Sequence, residues 1–192
     1  MFSRQQQSAS FDNEEDLVRR AIQGDSDAFG VLYTTHLKPI YRYIYYRVGD
    51  ILEAEDLTED VFIKAWEALP GYQIKAHPFK SWLYRIAHNL IVDFHRKKRP
   101  ISMAEPEVYN NSSHLPSIEK AVETWENAET LAEAVKSLNP EQQQVILLRF
   151  VEGLSHQEVG VIIGKSEASS RVIQHRALAA LLVVMRKDKK HV

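Results

Sequence analysis

The chain has 192 residues, with 24 Lys plus Arg against 26 Asp plus Glu, a formal charge of −2; 44% of residues are hydrophobic and 26% charged. That composition can bury a core and excludes a wholly disordered chain. The absence of cysteine excludes a disulfide framework, a thiolate zinc site and a cysteine nucleophile, and suits a reducing cytosol.

A near-neutral total argues against a protein that binds nucleic acid by bulk charge, provided the charge is evenly spread. It is not. Residues 12–60 hold 12 acids and 5 bases (−7), residues 64–99 hold 8 bases and 2 acids (+6), residues 100–129 hold six glutamates and Lys120 (−5), and residues 165–192 hold 7 bases and 2 acids (+5). Two basic segments are separated by an acidic connector.

The N-terminal stretch MFSRQQQSAS is polar and lacks the apolar core of a leader, so residues 1–13 read as a flexible tail. Gly24 and Asp25 read as a C′ and N-cap pair between a short first helix and a long second one, DAFGVLYTTHLKPIYRYIYYRV, with a bend expected near Pro39. A third helix is expected over Ala54 to Ala68, where Leu57, Val61 and Ala65 recur at i, i+4 and i+8. Leu69, Pro70 and Gly71 stop it. Pro78 then suits the first turn of a helix running to about Arg99.

In that fourth helix Phe79, Leu83, Ile86, Ala87, Leu90, Ile91 and Phe94 form a continuous apolar stripe, expected to face the core. Trp82, Arg85, Asn89, Asp93 and Arg96 form a second stripe, which a core helix does not need. Aromatics interleaved with cations offer stacking faces and phosphate partners to single-stranded nucleic acid, and the preceding loop, Tyr72 to His77, can wall a pocket for an extruded base. The bland alternative is that Trp82 and Tyr84 are peripheral packing and the bases a solvated face.

Residues 100–128 carry Pro100, Pro106, Pro116 and the run Asn110 to Ser113, and read as a flexible acidic linker whose last third can turn helical. Asn139 and Pro140 can cap and begin the next helix, with Val145, Leu148 and Val151 on one face and an end near Gly153. Ser155 and Glu158 form a capping box opening a short helix to about Ile163; Gly164 gives a turn, and Ser166 caps a last, longer helix. This is a helix-turn-helix pattern. Ile173, Ala177 and Leu181 point inward, leaving Arg171, Val172, His175 and Arg176 outside, where arginines can read guanine edges and Val172 a thymine methyl. Lys165 and Ser166 are placed for phosphate. A plain helical hairpin with a basic rim is the alternative.

The expected fold class is therefore all-α: two small helical domains, residues 14–99 and 129–192, joined by a flexible linker, the second a helix-turn-helix. The apolar run Leu181 to Met185 is far shorter than the roughly 20 residues of a membrane span, so no membrane insertion and a cytoplasmic location are expected. His88, Asp93 and His95 could suggest a metal hydrolase, but His88 and Asp93 at i, i+5 point apart and no HExxH, GxxxxGK[ST], GxSxG or GxGxxG occurs. No catalytic residue, metal or cofactor is expected.

The stretches AEDLTEDVFIKAWEAL, FKSWLYRIAHNLIVDFHRKKR and SLNPEQQQVILLRFVEGLSHQEVGVIIGKSEASSRVIQHRALAAL, in this order over residues 14–185, resemble the extracytoplasmic-function (ECF) sigma factors of bacterial RNA polymerase, in the sigma-70 family. The resemblance implies a non-enzymatic initiation factor. By it, Asp56, Glu59, Asp60, Phe62 and Trp66 dock on the clamp helices of the polymerase largest subunit. Tyr72, Lys75, His77, Lys80, Trp82, Arg85, Asn89 and Arg96 would serve the −10 element, where a base is flipped at a cost of a few kcal/mol. Lys165, Ser166, Arg171, Val172, His175 and Arg176 would serve the −35 element. The acidic linker would thread the polymerase toward the RNA exit path.

Three positions depart from the family pattern: Glu59 where glutamine is common, Gly160 where alanine is common, and Ser170 where an aliphatic residue packs. Gly160 and Ser170 are expected to loosen the second domain by on the order of 1 kcal/mol each. The run at 181–185 suggests a partner surface for an anti-sigma factor or the polymerase flap, or a buried helix end. A stand-alone helix-turn-helix regulator is the alternative function, though it needs only one of the two motif blocks.

Overall fold

A computed structural model describes residues 14–74, 77–98, 135 and 137–188, with side chains through Val183. The expected tail, the linker at 100–128 and Lys75 lie outside these residues. Among the described residues the chain is all-helical. Its helices lie in two stretches of chain, an N-terminal unit ending at Lys98 and a C-terminal unit that follows the linker.

In the N-terminal unit, α1 (residues 14–22) buries Val18 and Ala21. Gly24, at φ 91°, turns the chain, and the Asp25 carboxylate accepts the amides of Asp27 and Ala28 at the start of α2 (Ser26–Val48). The Arg20 guanidinium grips Asp25 through Nε and Nη2, at 2.9 and 2.7 Å, tying the end of α1 to that cap. Helix α2 continues through Pro39 as one element, burying Ala28, Leu32, His36, Ile40, Tyr43 and Ile44.

Helix α3 (Ile51–Ala68) begins three residues before the expected Ala54. Gly49, at φ 75°, closes α2, and Asp50 immediately caps α3 by accepting the Glu53 amide at 3.0 Å. The first turn escapes the periodic pattern because Ile51 and Leu52 are apolar yet exposed. Its inner face, Ala54, Leu57, Val61, Phe62 and Ala65, packs on α2. A 3-10 turn, Leu69–Gly71, ends it where the LPG signal falls.

Helix α4 (Phe79–Lys98) buries Phe79, Leu83, Tyr84, Ala87 and Ile91. The expected core stripe is therefore misaimed: Ile86, Leu90 and Phe94 are only half-buried, and Tyr84, outside that stripe and peripheral on the bland alternative, is fully buried edge-on to Tyr43 at 5.2 Å. The stripe rotates because α2 offers Tyr43 as a facing ring, and edge-to-face contact adds to burial.

In the C-terminal unit, Asn139 caps α5 (Pro140–Ile146) in a reciprocal box with Gln142, and Pro140 occupies the first turn. The helix widens into a π turn, Leu147–Val151, in which the Glu152 amide donates to the Leu147 carbonyl at 3.0 Å; Gly153, at φ 70°, then reverses the chain. Ser155 and Glu158 exchange the expected capping-box bonds at the head of α6 (His156–Ile163). Gly164, at φ 69°, makes the turn, and Ser166 Oγ accepts the Ser169 amide at the head of α7 (Glu167–Asp188). Ile173, Ala177, Leu178 and Leu181 are buried, as the inward set requires.

Two expectations about this unit are overturned. A Cβ on Gly160 would lie 2.7 Å from the Lys165 carbonyl oxygen, so glycine is demanded by a close backbone approach and does not loosen the unit. Ser170 is fully buried, but its Oγ lies 3.0 Å from His156 Nδ1, so its burial leaves no orphan hydroxyl.

Candidate nucleic-acid interface

Three surfaces gather the residues singled out by the sequence. The first lies on α3 against α2, where Tyr33, Glu59, Phe62, Ile63, Trp66 and Glu67 line an open groove of about 430 Å³. Phe62 is 4% exposed and edge-on to Tyr33 at 4.7 Å. Its ring is almost wholly core, and only its edge lines the groove. Trp66 is 39% exposed, resting on Phe29 at 4.9 Å, and Ile63, which the sequence did not single out, is 55% exposed. Asp56, Glu59 and Asp60 are exposed on the same helix. An apolar strip with a backed tryptophan and a carboxylate rim suits a partner that is apolar at its centre and cationic at its edge.

The second surface surrounds the start of α4. Tyr72, Phe79 and Trp82 form a three-ring cluster with centroid separations of 4.7 Å (Tyr72 to Trp82), 5.6 Å (Phe79 to Trp82) and 5.9 Å (Tyr72 to Phe79). Phe79 is buried and meets the His36 ring, whereas Tyr72 and Trp82 are half-buried. The Tyr72 hydroxyl donates to the His77 carbonyl at 2.6 Å. Burial, with the nearby Glu14 and Glu15 carboxylates, pushes that hydroxyl up to about 12, which keeps it a donor. His77 and Lys80 are half-buried, the Lys80 ammonium lying 5.9 Å from the Tyr84 ring centre.

Along α4, Arg85, Asn89 and Arg96 are exposed on the expected second stripe, with Trp82 half-buried at its head. Arg96 pairs with Asp93 at 3.0 Å, an exposed pair that water and salt weaken. The stripe is thus a solvent-accessible row of an aromatic, an amide and two guanidinium groups.

The third surface is the outer side of α7. Arg171, Val172, His175 and Arg176 are all exposed, and Lys165 and Ser166 stand exposed at the turn before it. Arg171 is held by Glu167 one turn earlier, and the Lys165 ammonium pairs with Glu141 at 2.8 Å. Arg149, in the π turn, donates to the Leu154 carbonyl and reaches Gln174 Oε1 at 3.2 Å, fixing α7 from behind. Arg149, His156 and Gln174 position this helix, and no local pattern reveals them because Arg149 and Gln174 lie 25 residues apart. Of the expected apolar partner run, Leu181 is buried and Val183 exposed; the side chains of 184 and 185 lie outside the described residues.

Among the described residues, no cluster of three His, Asp or Glu side chains is arranged to hold a metal ion, and no helix is long and apolar enough to cross a membrane. Comparison with known proteins then gives consistent matches. The family description Sigma-70 region 2 matches residues 32–101, and Sigma-70, region 4 matches residues 128–181. The chain is 36% identical over 178 residues to the ECF RNA polymerase sigma factor BldN of Streptomyces coelicolor, covering 91% of this chain and 67% of that one. It is 30% identical over 175 residues to the ECF RNA polymerase sigma factor SigW of Bacillus subtilis, covering 85% and 92%. In fold it is similar to CnrH, solved in complex with the cytosolic domain of CnrY, with a TM-score of 0.71 at 23% identity over 92% of this chain and 99% of that one.

Proposed function

The chain belongs to the ECF sigma factors of the sigma-70 family, and from that premise we propose how its three surfaces divide the work. As a sigma factor it binds core RNA polymerase, recognises −35 and −10 promoter elements, and promotes strand opening at initiation. The exposed face of α3, with Asp56, Glu59, Asp60, Ile63 and Trp66, docks on the clamp helices of the largest subunit. Trp82, Arg85, Asn89 and Arg96, with His77 and Lys80 beside them and Lys75 in the loop, receive the −10 strand. Arg171, Val172, His175 and Arg176 read the −35 duplex, while Lys165 and Ser166 meet phosphate. The domain limits proposed are 14–99 and 129–192, with the acidic linker threading the polymerase toward the flap and RNA exit.

The observation that carries this reading is the pairing of two separate matches, regions 2 and 4, in one chain, each falling on a unit with its own exposed cationic row. A stand-alone helix-turn-helix regulator would leave the region 2 match without a purpose. The polymerase supplies the catalysis, the chain works in the cytoplasm, and an anti-sigma factor competing for the apolar groove on α3 is the regulatory partner proposed. The test is a run-off assay: the purified chain is expected to direct core polymerase to a defined transcript, and core that stays inactive at every cognate-like promoter overturns the reading. Replacing Arg171 or Arg176 with Ala should cost roughly 1 to 3 kcal/mol at particular −35 base pairs; a loss uniform across sequences would reassign them to phosphate.

A further inference from the structure

We infer that Tyr72 is a positioning residue for strand opening: its hydroxyl fastens the chain at His77, and its ring backs Trp82, the half-buried aromatic at the head of α4. The inference rests on the proposed placing of the −10 strand and deepens it. Three observations support it. The hydroxyl donates to the His77 main-chain carbonyl at 2.6 Å, so its proton is already committed inside the protein. The bond spans five residues and ends one residue before Pro78 and two before Phe79, the first residue of α4. The ring lies 4.7 Å from Trp82 and 5.9 Å from Phe79, so one side chain holds both the entry to the helix and the half-buried tryptophan of its first turn.

The physical need is plain. Unstacking a base costs a few kcal/mol, and a stacking face recovers that only if it is already oriented when the base arrives. Trp82 sits on the first turn of α4, where a helix end without a fixed entry frays and a side chain regains rotamer freedom. Phe79 anchors the helix to the core from below, against His36 on α2. Tyr72 supplies the remaining constraint from the side, and it does so through a main-chain acceptor, which no substitution at residue 77 except a backbone change removes. Burial, and after it the carboxylates of Glu14 and Glu15 on α1, oppose ionisation of the phenol, so the hydroxyl stays a donor.

The experiment uses the full chain with Tyr72→Phe, which keeps the ring and removes only the donor. In the free protein, hydrogen exchange at the Trp82 amide, which donates to the Pro78 carbonyl at 3.1 Å and closes the first turn of α4, should accelerate by roughly threefold to tenfold, the range set by the net worth of one hydrogen bond. With core polymerase, opening of a duplex promoter should slow by a similar factor, transcription from a template already melted over the −10 region should fall by less, and affinity for core polymerase should be unchanged. Tyr72→Leu, which also removes the ring, should slow duplex opening further. Unchanged exchange at the Trp82 amide overturns the inference. Faster exchange with undiminished duplex opening overturns it too, and does so without touching the sigma-factor reading, which the wild-type run-off transcript tests separately. An equal loss on duplex and pre-melted templates would mark Tyr72 as a DNA contact or a general structural residue and likewise overturn the positioning role.

Discussion

His156 and Ser170 meet across the helix-turn-helix, Nδ1 to Oγ at 3.0 Å, one from the first turn of α6 and the other from the buried side of α7. Burial, together with the Arg149 and Arg171 guanidinium groups, holds the His156 imidazole below its ordinary pKa, so near neutrality it is the uncharged ring that bonds the hydroxyl. This bond fixes the angle at which α7 leaves the turn. Ser170→Ala should therefore destabilise the C-terminal unit by about 1 kcal/mol, the usual worth of one such bond. Thermal unfolding of the full chain checks it; an unchanged or raised midpoint would show that the serine is merely tolerated where an aliphatic residue would pack.

At Gly160 two effects of opposite sign compete. Helix propensity alone says that alanine in the middle of α6 should gain about 1 kcal/mol. The added Cβ, however, would stand 2.7 Å from the Lys165 carbonyl, a backbone atom that cannot rotate away, while the Lys165 amide is held at 2.8 Å by the Gly160 carbonyl. Forcing such a contact apart costs typically about 1 to 3 kcal/mol. Gly160→Ala is expected to lower stability by about 1 kcal/mol net and to weaken −35 binding with it; a stabilised variant in denaturant unfolding would refute the close approach.

Burial, and after it the charge of Arg47, push the His88 imidazole down to about 4. Arg47 is itself buried, with Nε and Nη1 lacking hydrogen-bond partners among the described residues, so a second positive charge placed there is costly. Because the folded pKa lies below the unfolded value of about 6.5, the unfolded chain binds more protons over this interval. The stability contributed by neutral His88 is present above about 6.5 and is lost as pH falls from there toward about 4. The N-terminal unit should lose on the order of 1 to 3 kcal/mol across that window. His88→Gln should flatten the profile, and an identical pH dependence in the variant would assign the effect to other groups.

Phe62 and Trp66, one turn apart on α3, should behave oppositely although the sequence presents them alike. Phe62→Ala empties a filled core position against Tyr33 and should cost roughly 3 to 5 kcal/mol of stability. Trp66→Ala removes a ring that is 39% exposed over Phe29, so stability should fall by about half as much or less, while affinity for core polymerase should drop by about 2 kcal/mol or more if the groove is the docking site. Paired unfolding curves and polymerase competition assays separate the two. Equal polymerase affinities for Trp66→Ala and wild type would move the docking site off this groove.

Local chemistry was legible without coordinates. Asp25, Asn139, Ser155 with Glu158, and Ser166 cap the helices that their spacing announces, and the glycines at 24, 153 and 164 take positive φ where a helix has to stop. These features depend on residues within four positions of one another, so the sequence by itself determined the helices, their order, and the outward set Arg171, Val172, His175 and Arg176. The tertiary structure alone decided which of several equivalent apolar residues goes inside. Tyr84 rather than Phe94 faces the core of α4 because Tyr43 awaits it on α2, and Phe62 rather than Trp66 fills α3's inner face because Tyr33 does. It also decided the meaning of Gly160 and Ser170, whose partners are a main-chain carbonyl and an imidazole brought close by the turn. Periodicity reports which face of a helix is apolar to within a residue or so; the shape of the neighbouring surface selects the side chain, and that surface exists only once the chain has folded.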